Sequence, residues 1–91
     1  MEKQWVLYIL RCKDDTLYTG ITDCLTKRLA AHRSGKGAKY TRGRGPLTLC
    51  YLQPCEDKSE ALRLEIEIKK LSRSEKLALI EDNPQYLDYW N

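Results

Sequence analysis

Two polar, basic side chains share one face of a predicted helix in this 91-residue chain, although a face that packs on a core is normally apolar. Arg28 and His32 are four residues apart, and their helical neighbours on that face are Leu25 and Leu29. An arginine that reaches out to water, or a histidine whose hydrogen bonds are satisfied at the edge of a core, would explain each residue singly. The two together, next to a cationic segment, are harder to explain by these structural roles alone.

An acidic side chain, Glu65, lies in or beside the apolar face of a later predicted helix. Its helical neighbours include Ala61, Leu62 and Ile68, whereas Glu67 projects in another direction and is expected to be solvated. Placing an ionised carboxylate on a buried face costs several kcal/mol unless a cation or hydrogen bonds compensate. A buried arginine and a divalent metal ion would each do so, and the spacing does not choose between them.

Two tyrosines lie ten residues apart in two apolar runs that are separated by a short polar link. The runs predict an antiparallel hairpin in which Tyr8 and Tyr18 approach one another. Cross-strand aromatic pairs also stabilise hairpins without any further role. Gly20 follows closely and marks either the end of a strand or a close approach of another group to the backbone.

The charge is unevenly distributed along the chain. Residues 1–50 carry ten basic and four acidic side chains, whereas residues 51–91 carry six basic and nine acidic ones. The stretch from residue 27 to residue 44 contains no carboxylate and seven cations, which are Lys27, Arg28, Arg33, Lys36, Lys39, Arg42 and Arg44. This cluster predicts a contact with a polyanion, although by charge alone it is equally compatible with a solvated basic loop.

The composition excludes several classes of protein. With 42% hydrophobic and 32% charged residues, the chain is neither disordered, collagen-like nor membrane-spanning, and its length predicts a single domain over residues 1–91. No secretion signal is visible, so the cytoplasm is the expected location. The four cysteines lack the spacing of a structural zinc site, and burial is expected for Cys12 and Cys50.

The order of predicted elements is β-β-α-β-α-α, which indicates an α+β fold with a small three-stranded antiparallel sheet flanked by helices. The strands are predicted at residues 5–10, 16–21 and 47–52, the last of them ended by Pro54, and a first helix at residues 25–34 is capped by Thr22 or Asp23. Capping-box patterns that begin at Asp57 and Ser72 predict two further helices. Residues 35–46 are predicted to be a glycine-rich loop, and the apolar tail from residue 85 is expected to pack back on the domain.

Two tripeptides in these strands resemble the paired tripeptides of the GIY-YIG nuclease superfamily. They are residues 6–8 (Val-Leu-Tyr) and residues 18–20 (Tyr-Thr-Gly), followed by Arg28 ten residues after the second tyrosine, by His32, and by Glu65 on the later helix. The resemblance extends from residue 5 to about residue 80. It is strongest to the small stand-alone, single-domain bacterial members, and more distant to the nuclease subunit of endonucleases that process Holliday junctions.

The resemblance implies an endonuclease that hydrolyses DNA phosphodiester bonds with one divalent ion, Mg²⁺ or Mn²⁺. By position, Glu65 is implied to bind the metal, and Arg28 to hold and neutralise the scissile phosphate. Tyr18 is implied to orient or deprotonate the attacking water, with Tyr8 in support. His32 is the alternative base, because its ordinary pKa suits neutral pH better.

The resemblance also implies that the cationic segment lies along the DNA backbone without reading the bases. The implied DNA-binding residues are Lys27, Arg33, Lys36, Lys39, Tyr40, Arg42 and Arg44. Structure-selective cleavage in DNA repair or recombination is therefore expected, either by weak intrinsic activity or with a protein partner that supplies specificity. The alternative is a nucleic-acid-binding module that keeps the nuclease fold without useful catalysis. No membrane partner is expected.

Overall fold

The computed structural model describes residues 4–34 and 47–82, which form three β-strands and three α-helices in the predicted order. The strands are β1 (Val6–Arg11), β2 (Leu17–Thr22) and β3 (Thr48–Pro54), and the helices are α1 (Leu25–Arg33), α2 (Lys58–Lys69) and α3 (Arg73–Glu81). The predicted α+β class with a three-stranded antiparallel sheet is confirmed. The predictions for the loop at residues 35–46 and for the tail from residue 85 lie outside the described residues.

The sheet has the strand order β2-β1-β3, with both pairs antiparallel. The central strand β1 is buried along five of its six residues, because both faces of its aliphatic and aromatic run are covered. Its Tyr8 lies opposite Gly20 on one side and Leu52 on the other. The third strand runs through Pro54, two residues beyond the predicted end. It is an edge strand, where the missing N–H of a proline is tolerated.

The two faces of the sheet bury two separate apolar clusters. On one face, Tyr8 and Leu10 pack with Leu29 of α1. On the other face, residues of β1 such as Ile9 pack with Ile68 of α2. Since the side chains of a strand alternate between the faces, α1 and α2 lie in different layers with the sheet between them.

The start of α1 differs from its prediction. Cys24 is the N-cap residue, and no side chain caps the helix. Thr22 cannot cap α1 because it is still the last residue of β2. Its hydroxyl instead accepts a hydrogen bond of 3.1 Å from the backbone N–H of Cys24.

The other two helices begin where their capping patterns predict. The Asp57 carboxylate accepts the backbone N–H of Glu60 at the start of α2. Ser72 and Glu75 form a complete capping box at the start of α3. In α2 the box is only half formed, because the Glu60 carboxylate accepts from the backbone N–H of Glu56 instead of that of Asp57.

The predicted burial of Cys12 and Cys50 is confirmed, and Cys55 is buried as well. Cys50 lies at a register shift, because Ile9 is paired with Tyr51 while the next residue of β1 is paired with Leu49. Within residues 4–34 and 47–82, no helix is both long enough and apolar enough to cross a membrane.

Candidate active site

Three aromatic rings from three different elements meet above the β1–β2 pair. The ring centroids of Tyr8 and Tyr18 are 6.3 Å apart, which confirms that the two tyrosines approach one another across the hairpin. The ring of His32, on α1, is 5.8 Å from that of Tyr8 and 5.2 Å from that of Tyr18. The three therefore form one cluster on the α1 side of the sheet.

The Tyr8 hydroxyl is the centre of the polar contacts in this cluster. It lies 2.9 Å from Nε2 of His32, and Nε of Arg28 donates a hydrogen bond to it at 3.4 Å. Because the hydroxyl oxygen accepts from Arg28, its own hydrogen is available to His32, whose Nε2 then carries the lone pair. The spacing of Arg28 and His32 on one helical face, noted from the sequence, thus serves to bracket a single phenol.

Gly20 provides the space that the Tyr8 ring occupies. A Cβ atom at Gly20 would lie 2.6 Å from the hydroxyl oxygen of Tyr8, 2.7 Å from its Cζ and 3.1 Å from Cε1 of Tyr18. Of the two interpretations left open for this glycine, the close approach is the one observed. The tripeptide at residues 18–20 therefore contributes both a tyrosine and the gap beside it.

Burial and neighbouring charges determine the protonation of this cluster. Burial raises the pKa of Tyr8 to about 12, although its hydrogen bond with Arg28 acts in the opposite direction. Burial, together with the positive charge of Arg28, lowers the pKa of His32. At neutral pH the cluster therefore contains a neutral phenol, a neutral imidazole and the guanidinium of Arg28, whose own pKa is raised chiefly by its hydrogen bond with Tyr8.

Glu65 belongs to α2, in the layer opposite to α1, and its side chain is 20% exposed. The Glu65 carboxylate forms an ion pair of 3.5 Å with Nζ of Lys69, and Lys69 lines a depression together with Tyr18 and Thr19. The charge of Glu65 also contributes to the raised pKa of Tyr8. The acid therefore belongs to the helix layer on the other face of the sheet, and its charge acts on Tyr8 from there.

The sequence left open whether an arginine or a metal ion compensates the Glu65 charge. In the described part of the chain the paired cation is Lys69, which is more than half exposed, so it neutralises the acid only weakly. Glu67 is exposed, as predicted. Glu65 is thus a half-buried carboxylate whose neighbouring cation can move away.

The donor set around Glu65 fits a hard divalent ion. Within residues 4–34 and 47–82, no group of three or more histidine, cysteine or acidic side chains converges on one point, as a zinc site requires. Mg²⁺ and Mn²⁺ are instead commonly bound by one or two carboxylates, with water and substrate phosphates completing the shell. A single half-buried carboxylate such as Glu65 is compatible with that requirement.

The predicted DNA-binding residues are described only in part. Lys27 is exposed on α1, and Arg33 is the last residue of that helix. The remaining residues, Lys36, Lys39, Tyr40, Arg42 and Arg44, lie outside the described residues.

Three further residues near the site were not identified from the sequence. Lys69 and Lys76 line the depression next to Tyr18. The Thr19 hydroxyl is buried there and has no hydrogen-bond partner among the residues described. The i, i+4 spacing of Glu65 and Lys69 was the only sequence feature that could have indicated one of them. The position of Lys76 depends on how α3 packs, which the local sequence does not reveal.

Comparison with known proteins agrees with this geometry. A family model described as the GIY-YIG catalytic domain matches residues 4–78. UPF0213 protein OB0043 of Oceanobacillus iheyensis is 54% identical over 85 residues, covering 93% of this chain and 99% of that protein. UPF0213 protein CPE1444 of Clostridium perfringens is 58% identical over 74 residues, covering 81% of this chain and 80% of that protein.

Solved structures show the same likeness. The solution NMR structure of UPF0213 protein BH0048 from Bacillus halodurans has a TM-score of 0.61 and 47% sequence identity, covering 89% of this chain and 86% of that one. The solution NMR structure of protein EF2693 from E. faecalis has a TM-score of 0.59 and 37% identity, covering 87% of this chain and 88% of that one. The fold is therefore shared with both.

Proposed function

This chain belongs to the GIY-YIG family, and we propose that it is a divalent-metal-dependent endonuclease that hydrolyses phosphodiester bonds of DNA. The family is one of nucleases that act on DNA and generally depend on a divalent metal. The observation that carries the proposal is the Tyr8 hydroxyl, held between Arg28 and His32 beside the ring of Tyr18. The hydrogen bond with this phenol holds the Arg28 guanidinium in place, as preorganised stabilisation of a charged phosphate requires.

Arg28 is proposed to bind the scissile phosphate. Its side chain is partly exposed, so it can meet substrate while Nε remains fixed on the Tyr8 hydroxyl. The terminal nitrogens of a guanidinium held in this way can donate two parallel hydrogen bonds to a phosphate. Tyr8 then acts as a positioning residue, because it is completely buried and orients the arginine.

Tyr18 is proposed to contact the attacking water. Unlike Tyr8, it is only partly buried, and it also forms a hydrogen bond with Arg28, which orients its hydroxyl. His32, the alternative base, is 2% exposed, and its Nε2 already lies at hydrogen-bond distance from Tyr8. We therefore assign His32 to holding Tyr8, and Tyr18 to positioning the water.

Glu65 is proposed to hold one Mg²⁺ or Mn²⁺ ion. When bound, the ion supplies Lewis-acid stabilisation of the negative charge that develops on the phosphate oxygens. The half-buried position of Glu65 strengthens such interactions, because less water screens them than at an exposed surface. The ion pair with Lys69 must open for this role, which an exposed lysine permits at small cost.

The substrate is proposed to be recognised through its backbone and shape, as in DNA repair or recombination. In the described residues, the side chains around the site are suited to phosphates and water, and contacts of this kind do not read sequence. A protein partner that supplies specificity belongs to the same proposal. The second candidate, a binding module without catalysis, is favoured only by the cations around the site.

The test is a nicking assay on duplex, nicked and branched DNA with Mg²⁺, Mn²⁺ or EDTA. We expect cleavage only with the metals, and Glu65→Gln is expected to retain DNA binding but lose cleavage. If the wild type cleaves no substrate while still binding DNA, the binding module replaces the enzyme. Equal cleavage in EDTA would contradict the metal dependence.

A further inference from the structure

The outer edge of β2 carries a groove next to the proposed active site. Because the described strands are ordered β2-β1-β3, none of them pairs with this edge. One depression of about 270 Å³ is lined by residues 17–19 with Lys69 and Lys76. A second, of about 200 Å³, is lined by residues 16 and 17 with Arg73 and Lys76. The two share residue 17 and Lys76, so they form one groove, named here the β2-edge groove.

The β2-edge groove has an excess of positive charge. Lys69 is paired with Glu65, and Asp15 is shared between Arg73 at 3.3 Å and Arg11 at 3.4 Å.

Lys76 is half-buried and has no carboxylate partner among the described residues, so the three cations that line the groove, Lys69, Arg73 and Lys76, are paired with only two carboxylates. The α3 N-terminus does not supply this charge, because Ser72 and Glu75 already satisfy its capping groups. The attraction for an anion therefore comes from the cationic side chains, of which Lys76 is the one whose charge no described carboxylate neutralises.

The groove is continuous with the proposed catalytic residues. Tyr18 lines the groove and also contacts Arg28, the proposed ligand of the scissile phosphate. The groove floor extends from residue 19 back to residue 16, three steps of about 3.3 Å along a strand. That length of about 10 Å is comparable to three steps of the axial rise of about 3.4 Å between successive phosphates of one strand, so the groove is long enough for a short stretch of backbone.

We propose that the β2-edge groove binds a short stretch of the phosphodiester backbone of the DNA strand on one side of the scissile phosphate. The proposal rests on the proposed function and adds to it a surface formed by residues 16–19 with side chains of α2 and α3, none of which belongs to the cationic sequence at residues 27–44. Lys76 is the residue that donates to a phosphate there. The strand then passes from Arg28 across Tyr18 and along the edge of the sheet.

The test is DNA binding in EDTA, so that binding is measured without cleavage. The affinity of a fluorescent duplex is measured by anisotropy between about 50 and 200 mM salt for the wild type, Lys76→Gln, Lys76→Arg and Lys58→Gln. Loss of one phosphate contact should weaken binding and reduce the salt slope of log K by about one in Lys76→Gln. Lys76→Arg should retain the slope. Lys58→Gln, which removes the same charge from an exposed lysine outside the groove, should leave it unchanged.

Equal salt slopes of log K for Lys76→Gln and Lys58→Gln would overturn the proposal that the β2-edge groove binds DNA, while leaving the nuclease proposal intact. Failure of the wild type to bind DNA at all would overturn both. Lys76-dependent binding of polyglutamate in place of DNA would also overturn the proposal, in favour of an acidic polypeptide as the occupant.

Discussion

The Tyr8 ring lies directly over the α carbon of Gly20, so close that a Cβ atom at Gly20 would be 2.6 Å from the Tyr8 hydroxyl oxygen. The two residues are paired across β1 and β2, and Tyr8 is completely buried. The rings of Tyr18 and His32 lie on its other sides, with centroids 6.3 Å and 5.8 Å away. The glycine is thus part of the site, although it contributes no functional group.

Gly20→Ala should displace the Tyr8 hydroxyl from Arg28 and His32. We expect a loss of about 1–3 kcal/mol in the free energy of unfolding, as for other overpacked cores, and a large loss of cleavage. Denaturant unfolding and nicking rates measure the two effects. In a Tyr8→Phe background the alanine should cost less, because the closest clashing atom is gone. If Gly20→Ala costs as much free energy of unfolding in the Tyr8→Phe background as in the wild type, the close contact between residue 20 and the Tyr8 hydroxyl is contradicted.

Tyr8→Phe should leave Nε2 of His32 and Nε of Arg28 without their shared partner. We expect a destabilisation of about 1–3 kcal/mol and a loss of cleavage that exceeds the loss of DNA affinity, because Tyr8 is buried and acts on the substrate only through Arg28. Tyr51→Phe is the matched control, since it removes a hydrogen-bonded tyrosine hydroxyl from the other apolar cluster. Equal loss of cleavage in both variants would show that Tyr8 acts only through stability.

Arg28→Lys should not preserve function, although it preserves charge. A lysine lacks the Nε–H that donates to Tyr8, and it cannot offer two parallel donors to a phosphate. We expect cleavage to fall by at least about a hundredfold, comparable to the loss of one preorganised donor to a developing negative charge. Lys27→Gln, at the exposed neighbour, should affect only binding, and modestly. Near-wild-type cleavage by Arg28→Lys would contradict the role given to the guanidinium.

His32 should make stability depend on pH in the mildly acidic range. Its folded pKa is lowered below the ordinary 6.5, so the unfolded chain binds a proton first. The free energy of unfolding should therefore fall as the pH drops below about 6.5, by up to about 1.4 kcal/mol per pH unit. Above about pH 6.5, the titration of His32 should not change the free energy of unfolding.

Because His32 is the only histidine, its NMR titration can be assigned directly. The midpoint should lie below 6.5 in the wild type, and in His32→Gln the stability should vary less between about pH 7.5 and pH 5.5. A midpoint above 6.5 would show that the imidazole is stabilised as a cation, contrary to the environment described.

The local sequence pattern was sufficient to predict those parts of the fold that depend on interactions between residues close together in the chain. The hairpin follows from two β-rich runs, and α2 and α3 begin at Asp57 and Ser72 because each side chain accepts an N–H three residues later. The local pattern gave the wrong boundary where the arrangement of other strands and helices determines the structure. Thr22 was available as a cap but remained in β2, and Pro54 was accepted into β3 because that strand lies at an edge.

The candidate site was likewise predictable from the sequence only in part. The helical spacing of Arg28 and His32 predicted that they act together, and the hairpin predicted that Tyr8 and Tyr18 meet. The sequence contains no signal for the layer from which Glu65 arrives, because that depends on how α2 packs across the sheet. The β2-edge groove was missed for the same reason, since Lys69 and Lys76 meet only through the packing of α2 and α3.

The most direct test of the account compares Glu65→Gln with Glu67→Gln in single-turnover cleavage of one DNA substrate with Mg²⁺. Both variants remove one carboxylate from α2, but only Glu65 is half-buried and has a charge that acts on Tyr8, while Glu67 is exposed. We predict that Glu65→Gln abolishes cleavage with folding and DNA binding retained, and that Glu67→Gln cleaves at the wild-type rate. Equal rates in the two variants would contradict a metal-dependent site built on Glu65.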